Sequence, residues 1–184
     1  LPPILHAFIG TDISSGLALC PEFFNPEKIV LFIDIGTNGE ICLNVRGMWY
    51  ATSTAAGPAF EGMGISSGMR ATDGAVEHVE FKDGMFNFQT IGKSKPKGIC
   101  GSGIIDLMAA LLVSGNMDRS GRLGKAHSQD GYIADLDGVS AFHYGEAVYF
   151  TQKDIRQIQL AIGAVRTGID FILRQGNVSK DQID

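Results

Sequence analysis

The segment Leu31-Phe32-Ile33-Asp34-Ile35-Gly36-Thr37-Asn38-Gly39-Glu40 joins an apolar run, a carboxylate and a turn of small residues. These are residue types that can close on a phosphate. Glycines at 36 and 39 allow positive φ and a close backbone approach to a ligand. Successive amides of Gly36, Thr37, Asn38 and Gly39 would then form a concavity suited to an anion. Thr37 adds a hydroxyl. Asp34, at the end of a strand, is placed to orient a magnesium ion through its water shell. The same residues also spell an ordinary Asn-Gly hairpin, so both readings fit.

A second glycine loop, Gly98-Ile99-Cys100-Gly101-Ser102-Gly103, precedes an apolar helix expected from Ile104 to about Val113. Ser102 is the expected cap and Gly115-Asn116 the stop. Gly101, Ser102 and Gly103 at a helix N-terminus could bind an anion, or simply make a tight strand-to-helix connection. Gly64-Ile65-Ser66-Ser67-Gly68 matches the nucleophile-elbow pattern, but the residues before it do not read as a strand. The phosphate-loop signature is absent. His6, His78, His127 and His143 have no metal-ligand spacing. Cys100 reads first as a small buried apolar residue.

The elements that must position these groups follow from periodicity. Pro2 to Ile9 reads as an extended stretch. Gly10-Thr11-Asp12 offers a cap for a helix from Ile13 to Leu19, ended by Pro21. Ile29–Ile35, Glu40–Val45 and Met48–Ser53 form an antiparallel meander, with a hairpin at Arg46-Gly47. Ala55 to Gly74 is rich in Gly, Ala and Ser. Val76–Phe81 and Met85–Ile91 make another hairpin around Asp83-Gly84. Met117 to Glu146 is irregular, with one or two weak strands, and Ala147–Phe150 is a short strand. Thr151-Gln152-Lys153-Asp154 has capping-box spacing. It opens a helix whose Ile155, Ile158, Ile162, Val165, Ile169 and Ile172 form one apolar stripe. Gly163, Gly168, Ala161 and Ala164 would permit close approach on other faces. Gly176-Asn177 stops that helix, and Ser179-Lys180-Asp181 starts another.

The 184 residues suffice for one domain or two small lobes with a substantial core. Apolar content of 45% with 19% charged residues describes an ordinary globular protein, not a fibrous or disordered one. A net charge of -5 without a basic cluster speaks against a nucleic-acid groove. No apolar run approaches the ~20 residues of a membrane span. The N-terminal Leu1-Pro2-Pro3-Ile4 reads as a fragment boundary. Three dispersed cysteines suit a reducing compartment.

Together these segments resemble a known family. The Asp34 hairpin resembles the second phosphate motif of the actin, heat-shock chaperone and sugar kinase superfamily. More specifically, five segments resemble the ATPase part of the reductive activators of corrinoid proteins. They are Phe8–Ile13, Asp34–Glu40, Ala55–Gly62, Gly98–Asp106 and Thr151–Arg156, and they occur in the family's order.

The resemblance implies an α/β, ribonuclease H-like lobe with a mixed sheet and packed helices. It implies ATP and magnesium as ligands and a function in ATP-driven reduction of corrinoid cobalt from Co(II) to Co(I). The implied partner is a corrinoid protein of a methyltransferase system, as in O-demethylating anaerobes, and the implied state is a cytoplasmic homodimer. Residues 1–184 would be a partial ATPase domain, with the second phosphate motif and the subdomain after it. The first phosphate motif and the iron-sulfur ferredoxin domain are expected upstream, since three scattered cysteines cannot supply four cluster ligands. An adenosine-contacting glycine strand is expected just after Asp184. On this reading Asp34 serves the metal; Gly36, Thr37, Asn38 and Gly39 the phosphates; and Gly101, Ser102 and Gly103 are secondary candidates. Glu40 and Glu61 would orient water or metal. Two rivals remain: an iron-sulfur activator of the hydroxyacyl-CoA dehydratase type, with Cys100 as cluster ligand, and a docking or dimerisation module without catalysis.

Overall fold

A computed structural model describes residues 9–124, 132–144 and 148–184. The extended stretch expected before Ile9, and His6, His127 and Ala147, lie outside the described residues. The chain divides into two compact units. One comprises residues 1–57 and 162–184; the other runs from Pro58 to Ala161.

In the first unit, helix α1 (Thr11–Ala18) precedes a 3-10 turn at Pro21–Phe24. Three strands follow: β1 (Ile29–Ile35), β2 (Gly39–Val45) and β3 (Met48–Thr54). They form an antiparallel sheet in the order β1-β2-β3, pairing Asp34 with Glu40 and Cys42 with Ala51. Both faces are covered, which explains why Ile29 to Ile33 reads as an unbroken apolar run rather than an alternation. Cys42 packs with Ile13, Leu17 and Phe23, and Val30 and Phe32 join them. On the opposite face, Ile41 and Leu43 pack with Ile172 and Leu173 from the later part of helix α3 (Gln152–Gln175).

Asn44 is fully buried on the α1 face. Its amide nitrogen donates to the Asn25 carbonyl at 2.8 Å, and its oxygen accepts from the Gly47 amide at 2.8 Å. It thereby ties the β2–β3 turn to the loop before β1. Asn44→Leu removes both bonds and is expected to destabilise the protein by about 1–3 kcal/mol, read from urea unfolding. A loss below the error of that measurement would show that the clasp contributes nothing.

The second unit holds β4 (Ala75–Lys82), β5 (Met85–Thr90), β6 (Gly98–Ile99) and helix α2 (Gly101–Val113). It also holds β7 (Ile133–Leu136), β8 (Val139–Tyr144), β9 (Val148–Thr151) and the start of α3. One sheet is mixed, with β4 antiparallel to β5 and parallel to β6. The other is antiparallel in the order β7-β8-β9. Phe88 of β5 stacks on Tyr144 of β8, and Phe86 and Phe88 pack at a tilt against Phe142. The capping box at Thr151 is present. Asp154 is 2% exposed; its amide donates to the Thr151 hydroxyl, and its carboxylate accepts the Thr151 amide at 2.7 Å.

Several expectations are corrected. Helix α1 begins at Thr11 rather than Ile13, and Gly10 takes the N-cap position. Helix α2 begins at Gly101 rather than Ile104. Ser102 is not its cap: Cys100 occupies that position, and the Ser102 hydroxyl donates to the Glu77 carbonyl at 2.8 Å. The stripe on α3 runs through Ala161, which is 1% exposed, whereas Ile162 is 48% exposed. A step of three, not four, from Ile158 faces inward there. Gly168 packs tightly against Thr54 and Ile41, but nothing approaches Gly163. The end of α3 is a Schellman turn whose left-handed residue is Asn177 (φ 51), with the Val178 amide donating to the Leu173 carbonyl. Gly176 serves packing instead, since a Cβ there would meet Leu43 at 2.8 Å. The residues after Ser179 form only a 3-10 turn, Lys180–Gln182.

Candidate functional site

The bend between β1 and β2 lies at the end of the first unit's sheet. Asp34, Thr37 and Asn38 are exposed, and Gly36 is half-buried. Within the bend, the Gly36 amide donates to the Asn38 carbonyl at 2.9 Å. The positive φ expected of Gly36 and Gly39 is not found: neither is among the left-handed residues. Gly39 is buried for a different reason. A Cβ there would meet the Thr54 hydroxyl at 2.8 Å and Val165 at 3.2 Å. The left-handed glycine beside the bend is Gly57 (φ 75), and its amide donates to the Thr37 carbonyl at 2.8 Å.

Next to the bend is an open cleft of about 770 Å³, within the size range of small-molecule sites. Its lining includes Gly10 and Asp12 from the start of α1, Asn38 and Glu40 from the bend and β2, and Thr52, Ser53 and Thr54 from β3. Three carboxylates bear on one another here. Burial, with the negative charges of Asp12 and Asp34, raises the Glu40 pKa, although hydrogen bonding lowers it in part. The Ser53 hydroxyl lies 3.4 Å from the Glu40 carboxylate.

This electrostatics fits a divalent cation carrying phosphate, because a positive charge relieves the repulsion among the acids. Among the described residues, no group of three His, Cys, Asp or Glu side chains could hold a metal ion.

Glu40 also predicts a pH effect. Its folded-state pKa is raised, so the folded protein binds that proton more tightly than the unfolded chain does. Stability is then lost as pH rises through the upper carboxylate range. Glu40→Gln is expected to gain in melting temperature relative to the native protein as pH rises from 4 to 7. A difference that stays constant with pH would refute the coupling.

Residue types and spacing pointed to Asp34 and its turn but missed Asp12, Ser53 and Thr54 as lining groups. The signal was present in the hairpin register, which sets Ser53 opposite Glu40. The second glycine loop lies in the other unit. A Cβ on Gly101 would collide with the Phe60 carbonyl, and one on Gly103 with the Val76 carbonyl. Packing alone therefore requires both glycines. Cys100 is 3% exposed, and its thiol donates to the Val76 carbonyl at 3.3 Å. Glu61 is in the same unit, at a cavity of about 490 Å³ shared with Arg70 and Met69. Ser66 follows turns rather than a strand, and its amide donates to Asp154 at 2.9 Å.

A family described as the C-terminal domain of RACo, the ASKHA domain, matches residues 28–184. The chain belongs to this family. Its actin-like α/β fold is shared with a solved structure, a reductive activator for corrinoid, iron-sulfur protein. That structure matches the whole chain with a TM-score of 0.88 and 35% identity, and the match covers 30% of its own length. Among curated relatives, the corrinoid activation enzyme RamQ of Eubacterium limosum is 37% identical over 90% of this chain and 30% of its own length. A Co(II) methylated amine-specific corrinoid protein reductase of Methanosarcina barkeri is 26% identical over the full chain and 35% of its own length. The chain thus spans about a third of the length of these relatives. No helix among the described residues is long and apolar enough to cross a membrane.

Proposed function

We propose that this chain is the nucleotide-phosphate-binding part of an ATP-dependent reductive activator of corrinoid proteins. The observation that carries the reading is the exposed Gly36–Asn38 bend beside an acidic cleft, in a chain of the RACo C-terminal family. Asp34 holds the water shell of magnesium, and Gly36, Thr37, Asn38 and Gly39 take the β- and γ-phosphates. Glu40 orients water at the same end, while Glu61 is a candidate for that task in the second unit. There the first amides of α2, at Gly101, Ser102 and Gly103, are the secondary anion candidates. Magnesium supplies charge neutralisation for the phosphates.

ATP and its products contact the bend differently, so turnover shifts the protein between conformations. That shift would favour reduction of Co(II) in a bound corrinoid protein, the one electron being what an iron-sulfur cluster of the full-length protein would supply. The product is Co(I), the state that accepts a methyl group. A cytoplasmic homodimer belongs to the same reading.

The test uses the full-length protein with a corrinoid protein and a low-potential electron donor under anaerobic conditions. Conversion of the Co(II) spectrum to that of Co(I) is expected with Mg-ATP and not with ATP plus a chelator. Equal reduction in both conditions would overturn the proposal.

A further inference from the structure

We infer that Gly57 is a positioning residue for the bend: it sets the direction in which the Asn38 amide points. This rests on the phosphate-binding reading above. The chain leaving β3 passes back under the bend as a strap. The Thr54 hydroxyl lies 3.3 Å from the Gly39 carbonyl as donor, the Ala56 amide donates to the Thr54 carbonyl at 3.0 Å, and the Gly57 amide donates to the Thr37 carbonyl at 2.8 Å. Thr54 is seated by two glycines that make room for it, Gly39 and Gly168. The described residues contain no cis peptide bond, so the Thr37 carbonyl and the Asn38 amide lie on opposite sides of one planar unit. With that carbonyl turned to the strap, the Asn38 N–H points away from it.

Gly57 is left-handed, at φ 75, where the strap turns on into Pro58, so its amide stays under the Thr37 carbonyl only while that turn is kept. No atom lies within 4 Å of a Cβ built there, so space is not the reason for glycine. The reason is the backbone, since side chains other than Asn and Asp are poorly tolerated in that region. A residue that resists it relaxes, releases the Thr37 carbonyl and lets the peptide plane turn. Ligand binding must then restore the strained conformation, and affinity falls.

The experiment compares Gly57→Ala, Gly57→Asn and Asp34→Asn with the native full-length protein. It measures the Mg-ATP dissociation constant by calorimetry, KM against kcat for ATP, and the melting temperature without nucleotide. Gly57→Ala is expected to weaken Mg-ATP binding about tenfold, mainly in KM, with Gly57→Asn closer to native. Unchanged affinity in both Gly57 variants, with only a lower melting temperature, would reduce Gly57 to a structural role. Asn behaving as badly as Ala would overturn the backbone argument. If Asp34→Asn binds Mg-ATP normally, the phosphate reading itself fails; if only that variant loses binding, the positioning inference fails alone.

Discussion

Asp34→Asn in the full-length protein is expected to lower ATP turnover and ATP-dependent cobalt reduction together, by about 10- to 100-fold. Asp34 is exposed as the next-to-last residue of β1, where its side chain reaches solvent rather than core. Its register partner Glu40 and the nearby Asp12 make that end of the sheet acidic. Asparagine keeps the shape and most hydrogen-bonding capacity but removes the charge that orders a hydrated cation. Because Asp34 is exposed and contributes little packing, the melting temperature without nucleotide should barely move. Loss of activity with an unchanged melt separates a ligand role from a structural one. Native rates in this variant would remove Asp34 from the site.

Asp154→Ala is expected to give the largest loss of stability, roughly 3 kcal/mol, because buried hydrogen bonds to a charged acceptor are lost and their donors stranded. The carboxylate accepts the Ser66 amide at 2.9 Å, the Thr151 amide at 2.7 Å and the Thr151 hydroxyl at 2.8 Å. It therefore caps α3 and pins the turn at Ser66 from 88 residues away in sequence. Asp154→Asn, which retains an acceptor oxygen, should lose less. Urea unfolding followed by far-ultraviolet circular dichroism measures the difference. An alanine variant as stable as the asparagine variant would show that the one oxygen asparagine retains does no structural work.

Much of the first unit was legible from local pattern. The strand Ile29–Ile35 was predicted with its observed limits, and the neighbouring strands differ by a residue at an end. Alternation, turn residues and burial on both faces act over a few residues, so they can be read without knowing the partner. The capping box at Thr151 was legible for the same reason, because its two bonds span three residues. The fold family was legible because five short segments keep their order along the chain.

The errors share one physical source. Gly39 and Gly176 were read for backbone freedom, yet both, like Gly101 and Gly103, are small because neighbouring atoms leave no room for a Cβ. Those neighbours come from other elements: Thr54 and Val165 for Gly39, Phe60 for Gly101, Val76 for Gly103, Leu43 for Gly176. Ser102 was expected to cap its own helix and instead bonds to Glu77 on β4. The inward turn of Ala161 in place of Ile162 likewise depends on what α3 packs against.

Local residue order alone determined the meander, the long capped helix, the carboxylate at the strand tip and the small-residue bend after it. Those features need only propensity, periodicity and short-range hydrogen bonds. Only the tertiary structure decided that the left-handed glycine serving the bend is Gly57, that Asp12, Ser53 and Thr54 share its cleft, and that the second glycine loop is closely packed. Strand pairing brings these groups together from distant points in the chain, and no local pattern records which carbonyl a given amide will meet.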